Sequence, residues 1–217
     1  YIFFTSGTHF QTKNKFILIY SKSATKGAVL NTLEKDSICN TRPFNWLAAR
    51  MSYWGKIKPG RYKIPQGSSI YDIVKILRSG VQTPVDFVIS RKIRTKEDFA
   101  RLVGNYFETD STQMLTFLNN AGNLEHFGLD STSWMIAVLH NTYSIQWNWP
   151  PSKIFKKLYT EQEKFWNDKN RKEKALQLGY TPKEIYTLAS IVAEETNVEK
   201  DKYNIASVYF NRLEKGM

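Results

Sequence analysis

Apolar residues in the first third of the chain recur at the spacing of short helices and strands. Helical spacing occurs in three segments, about residues 24–35, 42–53 and 70–77, and strand-like patterns occur in two, residues 16–20 and 61–64. Either Ser68 or Ser69 can cap the third helix, and Gly80 can end it. Residues 16–80 are therefore predicted to fold as strand, helix, helix, strand, helix, a compact α+β unit.

The rest of the chain is predicted to be mostly helical. Residues 84–90 form one more predicted strand, and Thr95-x-x-Asp98 is typical of a helix start. Further helices are expected in three segments, residues 111–120, 131–139 and 151–178. The predicted fold class is therefore α+β, with a small α+β subdomain followed by a mostly helical domain.

The turn at residues 80–83 is the best place to divide the chain. The predicted parts are an N-terminal extension, the small subdomain and the helical domain, at residues 1–15, 16–82 and 83–217. The apolar start, residues 1–4, is far shorter than the roughly 20 apolar residues that a membrane-spanning helix requires. It is compatible with either the trimmed end of a membrane anchor or an irregular start.

Composition and charge narrow the chemistry only partly. The chain is 41% apolar and carries a formal charge of +11, which predicts an anionic partner such as nucleic acid, a membrane surface or an acidic polymer. Cys39 is the only cysteine, which excludes an internal disulfide. His9, His126 and His140 lack the spacing of metal ligands, so neither a metal nor another cofactor is predicted.

The segment after residue 180 contains the strongest candidate for an acid catalyst. Thr181-Pro182-Lys183-Glu184 combines a capping box with a proline at the first helical position. The following helix has an apolar stripe formed by Ile185, Leu188, Ala189 and Val192. At about 100° per residue, Glu195 lies beside that stripe and Glu194 points into solvent. Partial burial would favour the protonated form of the Glu195 carboxyl group.

A second helix is predicted directly after this acid. Either Thr196 or Asn197 can cap it, Thr196-x-x-Glu199 has the pattern of another capping box, and Gly216 can end the helix. The side expected to be buried consists of Ile205, Val208, Tyr209 and Leu213. A Glu-Glu pair at a helix end is usually solvent-exposed and without a catalytic role, so periodicity alone does not identify an enzyme.

The sequence of this helix pair resembles a known family. The runs LASIVAEET (188–196) and IASVYFNRLEKGM (205–217) are similar to the YceG-like endolytic murein transglycosylases. Upstream, KPGRY (58–62) and LRSG (77–80) resemble the family's LysM-like subdomain, and Asn141-Thr142-Tyr143 resembles its Pro-Asp/Asn-Thr-Tyr element. The resemblance covers about residues 16–217. The chain would then be truncated at both ends, with the C-terminal part of the catalytic domain absent.

The resemblance implies a lytic cleavage of the MurNAc–GlcNAc β-1,4 bond of peptidoglycan, with 1,6-anhydroMurNAc ends as product. The family's catalytic glutamate aligns with Glu195, the residue that the helical periodicity also selects. Further cleft residues that it suggests are Asn141, Tyr143, Ser190, Asn211 and Arg212, although a backbone contact is the favoured role for Ser190. Two positions depart from the family pattern: Ala193 replaces the usual first acid, and His140 replaces the proline before Asn141.

Family membership would also imply a location and partners. The expected location is the bacterial cytoplasmic membrane, through a single-pass anchor, with the catalytic domain on the extracytoplasmic side. The expected partners are peptidoglycan glycan strands and peptidoglycan synthases (penicillin-binding proteins).

Two other functions compete with this prediction. One is a non-catalytic peptidoglycan-binding module, for which the LysM-like part would suffice. The other is nucleic-acid binding, which the charge of +11 and the many aromatic residues favour. The basic residues nevertheless look scattered, and no helix-turn-helix, zinc-finger or RNP-like motif is present, so no nucleic acid is predicted as a partner.

Overall fold

The computed structural model describes residues 5–90 and 93–216. The predicted anchor remnant at residues 1–4 therefore lies outside the described residues, as does Met217 at the end of the resembling motif. The chain divides into two compact units, Tyr1–Phe117 with His140–Ile154, and Leu118–Leu139 with Phe155–Met217. The predicted boundary near residue 82, between the small subdomain and the helical domain, is not the boundary between these two units. That boundary stays a prediction.

The beginning of the first unit has the predicted order of elements. Its strands are β1 (Asn14–Ile19) and β2 (Gly60–Pro65), and its helices are α1 (Lys26–Lys35), α2 (Thr41–Arg50) and α3 (Ile70–Ser79). The strands form an antiparallel pair in which Ile17 lies opposite Tyr62. Both of these side chains are fully buried, as expected for the apolar face of a two-stranded sheet. The predicted order strand, helix, helix, strand, helix is confirmed.

Local capping explains where α3 begins and ends. The Ser69 hydroxyl accepts a hydrogen bond from the Asp72 N–H, and the Asp72 carboxylate accepts from the Ser69 N–H, so the capping box is complete. Gly80 follows the helix with φ 70°, a left-handed conformation that favours glycine. The cap left open in the sequence is therefore Ser69, and not Ser68.

Replacing Ser69 with Ala is expected to lower the free energy of unfolding by about 1 kcal/mol, because the Asp72 N–H loses its acceptor and the Asp72 carboxylate loses the hydroxyl that donates to it. Urea denaturation measures this change. Ser68→Ala is the matched control, since the Ser68 hydroxyl donates only to the Pro65 carbonyl in the preceding turn. An equal loss in both variants would contradict the assignment of the cap.

One apolar core fills this part of the first unit. It consists of Phe10, Ile17, Ile19, Val29, Leu33, Ile38, Cys39, Phe44, Ala48, Tyr53, Tyr62, Ile64, Ile70, Ile73, Val74 and Leu77. Burial raises the pKa of the Cys39 thiol to about 12, so the thiol stays protonated and packs as a small apolar group.

The first unit also contains a second antiparallel pair. Strand β3 (Val85–Ile89) pairs with β4 (Asn141–Ile145), and Phe87 lies opposite Tyr143. Helices α4 (Lys96–Tyr106) and α5 (Ser111–Asn119) confirm the predicted helices in this region, and Thr95 caps α4 by accepting from the Asp98 N–H. The sequence pattern assigned no strand to residues 141–145, and the structure adds one there. Its backbone is held as a strand by β3, which is 52 residues earlier in the register Ile89↔Asn141.

The second unit is helical but more interrupted than predicted. Its elements include α6 (Ala121–Glu125), most of α7 (Pro151–Asn167), α8 (Arg171–Gln177), α9 (Pro182–Glu195) and α10 (Glu199–Glu214). The single helix predicted over 151–178 is wrong, because Lys169 and Asn170 have positive φ values of 53° and 55° and separate α7 from α8. The helix predicted at 131–139 is reduced to a short 3-10 segment, Trp134–Ala137.

The structure confirms the α+β fold class, with small antiparallel sheets in the first unit and a mostly helical second unit. Among the residues described, none of the helices is long and apolar enough to cross a bilayer.

Candidate active site

The N-terminus of α9 is fixed by the capping box that the sequence predicts. The Glu184 carboxylate accepts from the Thr181 N–H at 2.7 Å and from the Thr181 hydroxyl at 2.8 Å. These two hydrogen bonds, the backbone one first, lower the pKa of Glu184. Because both are local, they set the start of the helix and hence the rotational position of the residues that follow.

The apolar stripe of α9 determines which way its last turn faces. Leu188 and Val192 are buried, Ile185 is half-buried, and Glu195 is the last residue of the helix. Glu194 is exposed, as predicted, but Glu195 is exposed as well. The prediction that Glu195 is partly buried at the core edge is therefore wrong. The second helix, α10, has no buried residue.

The start of α10 differs from the prediction. Its N-cap residue is Val198, which provides no side-chain hydrogen bond, so the expected Thr196–Glu199 capping box is absent. The Thr196 hydroxyl instead accepts from the Val198 N–H within the short connection between the helices. The predicted buried side of α10 is also only partly covered, since Val208 and Leu213 are each 49% exposed.

Among the described residues, the Glu195 side chain has one direct polar partner, which comes from α10. The Tyr209 hydroxyl donates to Glu195 Oε1 at 2.9 Å, and this hydrogen bond raises the pKa of Tyr209. The Arg212 guanidinium lies 5.9 Å from the centre of the Tyr209 ring, within cation–π range. The second unit thus brings together an exposed carboxyl group, a phenol and a cation.

The sequence pattern predicted a different role for Tyr209. Its spacing with Ile205 and Leu213 predicted a core residue, and periodicity cannot distinguish a tyrosine that packs from one whose hydroxyl reaches an acid. Its polar end would have been a usable signal, because a tyrosine hydroxyl beside a polar site generally finds a partner.

The other candidates on these helices have local contacts. The Ser190 hydroxyl donates to the Thr187 carbonyl at 2.7 Å, which is the backbone role favoured from the sequence. Asn211 is exposed, and its carbonyl accepts from the Lys215 N–H near the end of α10. The side chains of Asn211 and Arg212 are therefore accessible to solvent on the same helix as Tyr209.

The two upstream candidates belong to the first unit. Asn141 is exposed at the start of β4, and its side-chain oxygen accepts from the Thr142 N–H. Tyr143 is only 2% exposed and lies opposite the buried Phe87. Burial favours a packing role for Tyr143 in the sheet, whereas Asn141 can reach a ligand from solution.

The arrangement around Glu195 suits proton transfer. Over the described ranges 5–90 and 93–216, no three His, Cys, Asp or Glu side chains are grouped as metal ligands. A solvent-accessible carboxyl group can protonate an oxygen of a bound substrate and later accept a proton from it. The Tyr209 hydroxyl donates to Glu195 Oε1 and leaves Glu195 Oε2 available to a substrate.

Comparison with known proteins gives a family match. The model of the YceG-like family matches residues 19–217. In a crystal structure, a protein from Listeria monocytogenes described as YceG-like has the same fold, with a TM-score of 0.50 at 16% identity. The alignment covers 95% of this chain and 72% of the Listeria chain. Among curated proteins, none matches this chain.

Proposed function

Since this chain belongs to the YceG-like family, we propose that it is an endolytic lytic transglycosylase of peptidoglycan, a lyase that cleaves the MurNAc–GlcNAc β-1,4 bond. The observation that carries the proposal is the exposed Glu195 at the end of α9, within the family's helix-pair motif and hydrogen-bonded to Tyr209. By forming 1,6-anhydroMurNAc ends, the reaction would trim or terminate nascent glycan strands.

In the proposed mechanism, Glu195 acts first as an acid and then as a base. Its protonated carboxyl group gives a proton to the glycosidic oxygen, and the bond from that oxygen to MurNAc C1 breaks. The resulting carboxylate then accepts the proton of the MurNAc 6-hydroxyl, whose oxygen forms a bond to C1. The proton returns to Glu195, and no water is consumed.

This route explains how one carboxylate can be sufficient. Hydrolytic glycosidases generally need a second carboxylate, either to activate water or to form a covalent intermediate. In a lytic reaction the sugar supplies its own nucleophile, which is already attached to the reacting ring. The proposal therefore needs no second acid, and the neighbouring Glu194 has no assigned role in it.

The remaining candidates take supporting roles in the proposal. Arg212 and Asn211 are accessible on α10 and suit hydrogen bonds to the hydroxyl and acetamido groups of the glycan. Asn141 is a further candidate for glycan binding. Ser190 and Tyr143 are assigned to the structure of the helix and sheet, because their contacts are local or buried.

We extend the proposal to location and partners. A YceG-like transglycosylase would be anchored at the bacterial cytoplasmic membrane, with its catalytic part on the extracytoplasmic side. It would act on glycan strands close to the synthases that produce them. Both statements derive from family membership.

The product of the reaction tests the proposal. Purified glycan strands are incubated with the protein, and the new ends are identified by mass spectrometry before and after borohydride reduction. 1,6-AnhydroMurNAc ends resist reduction and are the expected product. Reducing ends would instead identify a hydrolase. Binding of strands without any cleavage would favour the alternative of a non-catalytic peptidoglycan-binding module.

Tyr209→Phe is expected to slow the reaction moderately. The substitution keeps the ring and removes only the hydroxyl that donates to Glu195. Because the two side chains are solvent-exposed, removing this charged hydrogen bond should have a smaller effect than removing a buried one. The expected decrease in kcat is about threefold to tenfold. Initial rates of anhydro-end formation measure it.

Tyr203→Phe is the matched control for this substitution. Tyr203 is on the same helix and is 74% exposed, so removing its hydroxyl should leave the rate unchanged. If both variants were as active as the unmodified protein, the contact between Tyr209 and Glu195 would have no part in positioning the acid.

A further inference from the structure

The positive charge of the chain is concentrated in the first unit. Residues 37–85 contain eight Lys or Arg residues and a single acid, Asp72, which gives this segment +7 of the chain's total of +11. This corrects the sequence-based impression of scattered basic residues. Asp72 is itself engaged in the α3 capping box, where its Oδ2 accepts from both the N–H and the hydroxyl of Ser69.

Half of these cations surround one open cavity. It has a volume of about 400 Å³ and is lined by Lys56, Lys58, Lys75, Arg78 and Ser79. Lys56 and Lys58 come from the loop after α2, and the other three come from the last turns of α3. The volume is within the range of roughly 300–1,000 Å³ that is usual for small-ligand sites, although such sites are generally more apolar.

Of the four cations that line the cavity, one has a structural role in the fold. Lys58 donates a hydrogen bond to the Ser79 carbonyl at 3.2 Å, so this carbonyl at the C-terminal end of α3 has a partner. Within the described part of the chain, Lys56, Lys75 and Arg78 form no ion pair, although they lie close enough to line the same cavity. Like charges held together in this way repel one another, and a bound anion would remove that repulsion.

We infer that this cavity binds a phosphate-bearing ligand, a diphosphate or phosphodiester group. Several converging cations match an anion with multiple charged oxygens better than a single carboxylate, which one arginine can neutralise. Lysine ammonium groups bind phosphate as point charges, and Arg78 can add a bidentate contact. The inference does not depend on the proposed function, because it concerns binding in the first unit and requires no cleavage.

The test measures binding of inorganic diphosphate to the full chain by isothermal titration calorimetry. An ionic strength of about 0.15 M limits attraction between charges farther apart than roughly 8 Å, so that net charge alone contributes little. The double substitution Lys75→Gln with Arg78→Gln is expected to weaken binding by at least about tenfold, because two charge-assisted contacts are lost.

Lys172→Gln with Lys174→Gln is the matched control. Both residues are exposed on α8, and the net charge changes by the same amount as in the cavity variant. Binding of diphosphate should be unchanged in this control, and circular dichroism should show that both variants are folded. Equal weakening in both, or no binding by the unmodified chain, would overturn the inference.

Two further arms identify the chemistry and the source of the ligand. If citrate bound as tightly as diphosphate, selectivity for phosphate would be overturned. Vesicles of phosphatidylglycerol are compared with vesicles of phosphatidylcholine. Binding to the anionic vesicles that disappears in the cavity variant, together with diphosphate binding, would support a lipid phosphate as the source. Binding to anionic vesicles without diphosphate binding would indicate surface adsorption and overturn a discrete site.

Discussion

Glu195→Gln is expected to reduce the formation of 1,6-anhydroMurNAc ends by about 10³-fold, the middle of the range for loss of general acid–base catalysis. Glutamine has nearly the same shape and can still accept a hydrogen bond from Tyr209 through its side-chain oxygen. It can neither give a proton to the glycosidic oxygen nor take one from the 6-hydroxyl. The expected loss is therefore in kcat, with little change in glycan binding.

Glu194→Gln is the matched control, because Glu194 is the adjacent acid on α9 and is also exposed. This variant removes the same charge from the same helix end. It should retain nearly full activity, since Glu194 has no role in the proposed reaction. Equal losses in both variants would show a general electrostatic effect. An undiminished rate in Glu195→Gln would remove the basis for its catalytic assignment.

The parts of the fold that were predicted correctly are those whose signals are local. The start of α3 requires only Ser69 and Asp72, three residues apart, and its end requires Gly80. The start of α9 likewise follows from Thr181 and Glu184. Such contacts form within one helical turn, and the apolar stripe then specifies which side is buried.

The features that were missed depend on contacts between distant residues or on positions without a sequence signal. Strand β4 at Asn141 exists because β3 pairs with it across 52 residues in the register Ile89↔Asn141, and no local pattern encodes that partner. The break between α7 and α8 occurs at Lys169 and Asn170, where neither a glycine nor a proline indicates it. Asn170 alone is a residue type that tolerates the left-handed conformation well.

The candidate site shows the same limit. Periodicity and resemblance both selected Glu195, but periodicity placed it at the core edge beside the apolar stripe of α9 and predicted a buried side for α10. In the structure Val208 and Leu213 remain half-exposed, Glu195 is exposed, and its hydrogen-bond partner is Tyr209. A helical wheel gives the direction of a side chain, but it contains no information about what lies in that direction.

Phe44→Ala is expected to destabilise the first unit by about 3–5 kcal/mol, which is the usual cost of removing a buried aromatic side chain. Phe44 on α2 is fully buried, and its ring contacts those of Tyr53 and Trp54 edge-to-face at centroid distances of 6.4 and 5.9 Å. Alanine would leave a cavity and remove both aromatic contacts. Since domains are stable by only about 5–15 kcal/mol, the loss should shift the urea midpoint strongly.

The control for this substitution is Trp46→Ala, two residues away on the same helix. Trp46 is 52% exposed, and the Arg50 guanidinium lies 5.0 Å from its ring centre. Its removal should cost about 1 kcal/mol or less, since exposed cation–π contacts contribute little. The larger aromatic residue is therefore expected to matter less than the smaller one, because burial and not ring size determines the free energy lost. Equal shifts of the urea midpoint in the two variants would mean that the core does not lie on the Phe44 side of α2.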